Sequence, residues 1–240
     1  MGDCLYIVIP AYNEEETIRQ VVDDWYPVVE EAGEKSRLVI INDGSRDSTY
    51  ETLCECAKTR PALIPLTKEN GGHGSTLLYG YQYALMHEAD YVFQTDSDGQ
   101  TLPGEFAAFW EQRKRYDMLI GRRNKREDGF SRVVVTKVLK LVIKLCFKVS
   151  VKDANTPFRL MKAEALKEEL AYVPKDFFLS NVLLTVLFTK HGRNILYIPI
   201  TFRPRQGGKN SINLPRIFKI GRQSLSDFRE LNKKIERDRK

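Results

Sequence analysis

The sequence has few of the features that mark secreted, disulfide-built or membrane-spanning chains. It has four cysteines, Cys4, Cys54, Cys56 and Cys146, and they are scattered. Cys54 and Cys56 stand two apart, a spacing that suits neither a zinc pair nor a redox CxxC, so reduced thiols in a cytoplasmic protein are expected. No run of about 18–20 uncharged apolar residues occurs. The longest apolar stretch, residues 177–189, is too short and holds Ser180 and Asn181. No basic segment precedes the apolar N-terminal stretch, so no signal peptide is expected. There is no internal repeat and no low-complexity linker. There is also no Gly-rich loop after the first apolar run. That slot reads PAYNE, which argues against a nucleotidyltransferase.

What is present is a charge split. The chain has 240 residues and a formal charge of +6. Residues 1–120 carry 10 basic and 21 acidic side chains, whereas residues 121–240 carry 28 and 11. Such asymmetry points to a polyanionic partner for the basic half: nucleic acid, a membrane surface or a phosphorylated ligand. At 42% hydrophobic and 29% charged residues the chain is globular, not disordered.

The first half alternates short apolar runs with helical spacings. Strands are expected at residues 5–9, 38–41, 62–66, 91–95 and 118–120. Helices are expected at 14–32, from 47 or 48 to 59, at 73–87 and at 106–116. Continuous apolar strands alternating with helices predict an α/β fold, with a Rossmann-like, mostly parallel sheet covered on both faces. Ligands of such sheets sit beyond the carboxyl ends of the strands. The second half predicts helices at 131–149, 177–191 and 214–237, and a strand at 195–200. An irregular stretch is expected around residues 153–159.

Three motifs fall at strand ends. Pro10, Ala11, Tyr12, Asn13 and Glu14 follow strand one; Asn13 suits a helix cap, while Tyr12 offers a ring face and Glu14 an acceptor. Asn42, Asp43, Gly44 and Ser45 follow strand two. This is ordinary turn chemistry, but it places a carboxylate on the edge that holds Tyr12. Asp96, Ser97, Asp98, Gly99 and Gln100 follow strand four. Two carboxylates in alternate positions repel and call for a cation; their oxygens suit Mg²⁺ or Mn²⁺ bridging a diphosphate.

Residues 8–14 (VIPAYNE), 42–45 (NDGS, with Asp47) and 96–98 (DSD) together resemble family 2 glycosyltransferases of the GT-A fold. The likeness runs from about residue 5 to 211. It is closest to the dolichyl-phosphate mannose and polyprenyl-phosphate glucose synthase group, through residues 98–100 (DGQ), 121–123 (GRR) and 205–211. The resemblance implies that Pro10, Ala11, Tyr12, Glu14, Asp43, Asp96 and Ser97 hold the base and ribose of a UDP- or GDP-hexose. It implies that Asp96, Asp98 and Gln100 form the metal site, with Asp98 and Arg205 as the catalytic pair on the donor diphosphate. Arg122 and Arg132 fall where the group binds the acceptor phosphate, and Lys209, although the last loop departs from the group's pattern, is a further candidate for a phosphate. There are departures: Asn42 stands for the usual Asp, Thr156 and Pro157 precede Phe158 and Arg159 where a Gly is common, and the last loop reads GKNS.

A phosphate acceptor is already ionised near pH 7, so positioning replaces proton abstraction. No compelling base is evident on the acceptor side; Glu127 and Asp128 lie in a charged loop. Lys137, Lys140, Lys144 and Lys148 recur on one face of the 131–149 segment beside aliphatics. Residues 214–231 repeat the pattern with Ile217, Phe218, Gly221, Leu225 and Phe228 flanked by basic residues. Both segments suit a membrane interface. The expected organisation is one glycosyltransferase domain over 1–211, with a sugar-nucleotide half at 1–120 and an acceptor half at 121–211. A basic amphipathic helix at 212–240 completes it. The expected activity is transfer of a hexose to a polyprenyl or dolichyl phosphate, with inversion, at the cytoplasmic face of a membrane. Transfer to a saccharide hydroxyl is the alternative. Nucleic acid is not an expected partner, because the basic residues interleave with aliphatics instead of aromatics.

Overall fold

The computed structural model describes residues 2–123, 130–175, 177–204, 228–233 and 235–237, with residues 130–137 described through their backbone only. Strand β1 (Leu5–Ala11) leads to helix α1 (Ile18–Ala32), β2 (Arg37–Asn42), α2 (Thr49–Ala57), β3 (Leu63–Thr67), α3 (His73–Met86) and β4 (Tyr91–Gln94). A single 3₁₀ turn at Pro103–Glu105 precedes α4 (Phe106–Gln112) and β5 (Met118–Arg123). Helix α5 (Phe130–Phe147), β6 (Arg159–Lys162), α6 (Ala163–Leu170), α7 (Ser180–Lys190) and β7 (Ile195–Ile200) follow.

The seven strands form one sheet in the order β3-β2-β1-β4-β6-β5-β7. All neighbours are parallel except β6, which runs antiparallel to both β4 and β5. The sheet is therefore mostly parallel, with a four-residue strand, β6, that the sequence does not announce and that starts where the expected irregular stretch ends. Helix α6 is likewise an addition to the expected elements.

Period-two alternation divides β1 between two cores. Leu5, Ile7 and Ile9 pack with Ile18, Val22 and Trp25 of α1 and with Phe93, Phe109 and Phe158. Tyr6 and Val8 face the other way, toward Leu77 and Tyr81 of α3 and Leu184 and Phe188 of α7. Helix α3 lies close against the sheet because Gly80 has no side chain; a Cβ there would stand 2.5 Å from Val8 Cγ1. Helix α7 is buried along residues 180–188, as its all-round apolarity predicts.

A third core joins α5 and α7 to the chain's last described residues. Ile143, Phe147 and Val186 pack with Phe228, Leu231 and Ile235. Residues 228–233 and 235–237 are helical. The Phe228 side chain, expected on an interfacial stripe, is instead fully buried, with its ring 5.2 Å from that of Phe147. Most of the predicted 214–237 helix lies outside the described residues. Among the described side chains of α5, Ile143, Cys146 and Phe147 are buried, whereas Val138, Leu141 and Leu145 are 54%, 57% and 68% exposed. Lys140, Lys144 and Lys148 are exposed alongside them. No helix among the described residues is long and apolar enough to cross a membrane.

Candidate active site

The carboxyl ends of β1, β2 and β4 open onto a cavity of about 730 Å³. Pro10, Ala11, Tyr12 and Glu14 line it from the β1 end, Asp43 from β2, and Asp96, Ser97 and Asp98 from β4. His73 and Thr76 of α3 and the carboxylates of Glu15, Glu16 and Asp47 complete the wall. Three motifs far apart in sequence, at residues 10–14, 42–45 and 96–98, thus meet because three parallel strands end on one edge.

The β1–α1 loop is shaped by Asn13, whose φ of 54° is left-handed. Asn13 does not cap its own helix. Its Oδ1 accepts from the Arg46 N–H at 2.9 Å, and its N–H donates to Ser45 Oγ at 2.9 Å, stapling this loop to the one after β2. Helix α1 consequently starts at Ile18, four residues later than periodicity suggests. Glu14 is buried, with Oε2 accepting from Thr17 Oγ1 at 2.9 Å. Tyr12 is 43% exposed at the cavity wall.

Asp43 is held on both oxygens. Oδ1 accepts from Lys68 Nζ at 2.6 Å and from the Gly71 N–H at 2.9 Å; Oδ2 accepts from the Gly72 N–H at 2.9 Å. Burial raises its pKa, but the hydrogen bonds from Lys68 and Gly71 outweigh this, so it lies below the usual Asp range. Gly44 follows in a left-handed conformation (φ 65°), and a Cβ there would meet Asn70 N at 2.8 Å. Lys68 stands one residue past β3 on the same sheet edge, a position from which its role is legible in retrospect.

In the third motif, Asp96 Oδ1 receives His73 Nε2 at 3.0 Å and Gln94 Nε2 at 3.2 Å. The His73 side chain is 48% exposed, so solvent screens this pair. Its pKa is nevertheless raised: burial lowers it, and the Asp96 carboxylate more than offsets that. Asp98 Oδ1 accepts from the Gln100 N–H at 3.2 Å, and Gly99 turns the loop with φ 68°. Gln100 is bolted to the segment after β7. Its Nε2 donates to Arg203 O, and the Arg203 N–H donates to Gln100 O, both at 2.8 Å.

Gln100 does not line the cavity, and with its amide nitrogen engaged only its side-chain oxygen is left to ligate. Among the described residues no group of three or more His, Cys, Asp or Glu side chains could cage a metal. The donor set fits Mg²⁺ or Mn²⁺ all the same: hard oxygens from one or two carboxylates, completed by water and ligand phosphate, are how such ions are commonly held.

On the acceptor side, Arg122 is exposed at the end of β5 and stands outside the cavity lining. Its neighbour Arg123 makes a two-pronged pair with Asp153, Nε to Oδ2 at 3.2 Å and Nη2 to Oδ1 at 3.1 Å. Neither Asp153 nor Arg123 stands out as a site residue in the sequence. The Arg132 side chain, Arg205, Lys209, Glu127 and Asp128 lie outside the described residues. His191, at the end of α7, pairs with the buried Glu169 at 2.5 Å, away from the cavity.

The fold is that of GT-A glycosyltransferases. Glucosyl-3-phosphoglycerate synthase from Mycobacterium tuberculosis, solved with Mn²⁺ and UDP-glucose, superposes with a TM-score of 0.68 at 19% identity, over 96% of this chain and 79% of that one. S. aureus TarS 1–349, solved with UDP-GlcNAc, gives 0.61 at 15% identity over 93% and 66%. In sequence the chain is similar to undecaprenyl-phosphate 4-deoxy-4-formamido-L-arabinose transferase of Pseudomonas fluorescens, 23% identical over 90% of this chain and 62% of that protein. This chain is thus shorter than that relative. It is also similar to polyprenol monophosphomannose synthase of Mycolicibacterium smegmatis, 24% identical over 86% and 80%. Dolichyl-phosphate beta-glucosyltransferase ALG5A of Trichomonas vaginalis is 25% identical over 87% and 68%. The sequence profile of glycosyl transferase family 2 matches residues 6–170, a span that contains all three cavity motifs and most of the sheet, and the chain belongs to that family.

Proposed function

We propose that the protein is a metal-dependent, inverting hexosyltransferase that moves a sugar from a UDP- or GDP-hexose to a polyprenyl or dolichyl phosphate. The observation that carries this reading is the meeting of Asp43, Asp96 and Asp98 with Tyr12 and Glu14 around one cavity at the strand ends. The names of the sequence relatives supply the acceptor class.

Tyr12, Glu14 and Asp43 would bind base and ribose, with the ionised Asp43 as acceptor, and Pro10, Ala11 and Ser97 would form the wall. Asp96 and Asp98 would hold the Mg²⁺ or Mn²⁺, which when bound neutralises charge growing on the leaving diphosphate. Arg205 would add a fixed positive charge to the same diphosphate. It lies two residues beyond Arg203, whose backbone is pinned to Gln100. In the reaction an acceptor phosphate oxygen bonds to the anomeric carbon as the bond to the diphosphate breaks. The nucleoside diphosphate leaves, and no proton need be removed from the attacking atom. Arg122, Arg132 and Lys209 would hold the acceptor phosphate.

The acceptor's lipid places the reaction at a membrane surface. The exposed Val138, Leu141 and Leu145 beside exposed Lys140, Lys144 and Lys148 suit a peripheral contact with an anionic leaflet. The cytoplasmic face is the side on which we place it. The test is incubation with labelled UDP- and GDP-sugars, Mg²⁺ or Mn²⁺ and polyprenyl phosphate. Label should enter the organic phase and depend on metal. Label that enters only water-soluble saccharide would replace this acceptor with a sugar hydroxyl.

A further inference from the structure

Beneath Asp96 lies a buried polar network that ordinary folding does not require. Gln94 ends β4, whose other residues are Tyr91, Val92 and Phe93, and it is fully buried. Its Nε2 donates to Asp96 Oδ1 at 3.2 Å, and its Oε1 stands 3.4 Å from the hydroxyl of Tyr81. Tyr81 is itself fully buried on α3, and its hydroxyl lies equally far from Asn181 Oδ1 on α7. One proton therefore serves two acceptors.

Across the sheet from Gln94, β6 presents Arg159, also fully buried. Its guanidinium donates to the carbonyls of Ala154, Thr156 and Asn181 and to Thr185 Oγ1, all neutral partners. Close by, Thr156 Oγ1, Ser180 Oγ and Asn181 Nδ2 are buried without a hydrogen-bond partner among the described residues. A half-satisfied polar network with a buried cation is a poorer stabiliser than an apolar core of the same shape. Among the described residues this network reaches the cavity through the bond from Gln94 to Asp96.

We infer that Gln94 is a positioning residue for Asp96, itself held by Tyr81, whose other neighbour, Asn181, is braced through its carbonyl by Arg159. Both hydrogen bonds to Asp96 among the described residues converge on Oδ1, which fixes the carboxylate's rotation and leaves Oδ2 to a ligand. This rests on the proposed metal and diphosphate site. Partners behind a ligating group commonly change metal affinity or activity 10–100-fold when removed.

The test is a titration of Mn²⁺ into the full chain with saturating UDP or GDP, followed by electron paramagnetic resonance, on wild type, Gln94→Leu, Tyr81→Phe and the double variant. Thermal unfolding is recorded for each. Gln94→Leu should weaken Mn²⁺ retention about 10-fold. Tyr81→Phe should weaken it less, in the same direction, and the double variant should match Gln94→Leu, because Tyr81 acts through Gln94. A folded Gln94→Leu with wild-type Mn²⁺ affinity overturns the inference. Should Gln94→Leu not fold, Tyr81→Phe decides, and unchanged affinity there overturns it equally. Wild type that retains no Mn²⁺ with either nucleotide defeats the proposed site itself, an outcome distinct from a silent variant.

Discussion

Asp43→Asn tests whether the β2 edge of the cavity is built by charge. The carboxylate receives three donors: Lys68 Nζ and the N–H groups of Gly71 and Gly72. A carboxamide keeps one oxygen but turns an NH₂ toward one of those donors. One hydrogen bond becomes a donor–donor contact, and Lys68, 18% exposed, loses its counter-charge. Removing one member of a buried pair costs about 3–5 kcal/mol; the partial exposure of Lys68 places this case near 3. For a chain of this size about 3 kcal/mol corresponds to a fall in Tm of roughly 6–12 °C. Circular dichroism melts of wild type and variant at pH 7.5 measure it directly. The pH dependence adds a second constraint. Asp43 has a folded pKa below its ordinary 3.8. Its contribution is fully present above that ordinary value and is lost as pH falls through the lower, folded one. The Tm gap should hold constant from pH 8 to 5 and narrow below about pH 4. A gap under about 2 °C at neutral pH, less than 1 kcal/mol, would refute the charge-built edge.

Asp98→Asn should abolish Mn²⁺-stimulated transfer, read with the labelled-sugar assay on folded variant; full turnover in the variant would point to a non-catalytic role for the motif. Lys140→Glu/Lys144→Glu/Lys148→Glu should weaken binding to vesicles containing phosphatidylserine by at least 100-fold, at about 1 kcal/mol per lysine removed. Flotation assays that find equal binding would remove α5 from the membrane contact. Gly80→Ala forces a methyl to within 2.5 Å of Val8 Cγ1. It should cost about 1–3 kcal/mol through overpacking, read from urea unfolding midpoints.

The parallel strands are legible because each is a continuous apolar run, and buried parallel strands need no alternation. Their shared edge follows from topology, which is why motifs separated by many residues could be assigned to one cavity from sequence. Strand β6 is not legible. It is four residues long and sandwiched antiparallel between β4 and β5, where neither length nor period marks it. The same insertion buries Arg159, a residue whose type predicts exposure. Gln94 reads as one polar residue at a strand end, and only the side chains behind it give it a role. Helix α5 illustrates a different limit. Periodicity shows that lysines share a face, but aliphatics occupy most of the remainder, and which of them pack inward depends on α7 and Phe228. Asn13 suits a cap by residue type, yet its left-handed backbone directs its side chain to the neighbouring loop.

The charge split acquires a physical reason from the cavity. Seven of the fourteen residues lining it are carboxylates, and His73 is the only basic one. Lys68 neutralises Asp43, and His73 offsets part of Asp96. A nucleoside diphosphate, the ligand proposed above, is itself an anion, and beside a wall rich in carboxylates it calls for accompanying cations. The divalent ion that Asp96 and Asp98 would hold is one proposed source. The basic half of the chain is the other, and the pairing of Gln100 with Arg203, two residues before Arg205 in sequence, ties that half to the acidic motif. On the proposed function the acidic half would bind ribose and metal, and the basic half would compensate the phosphates.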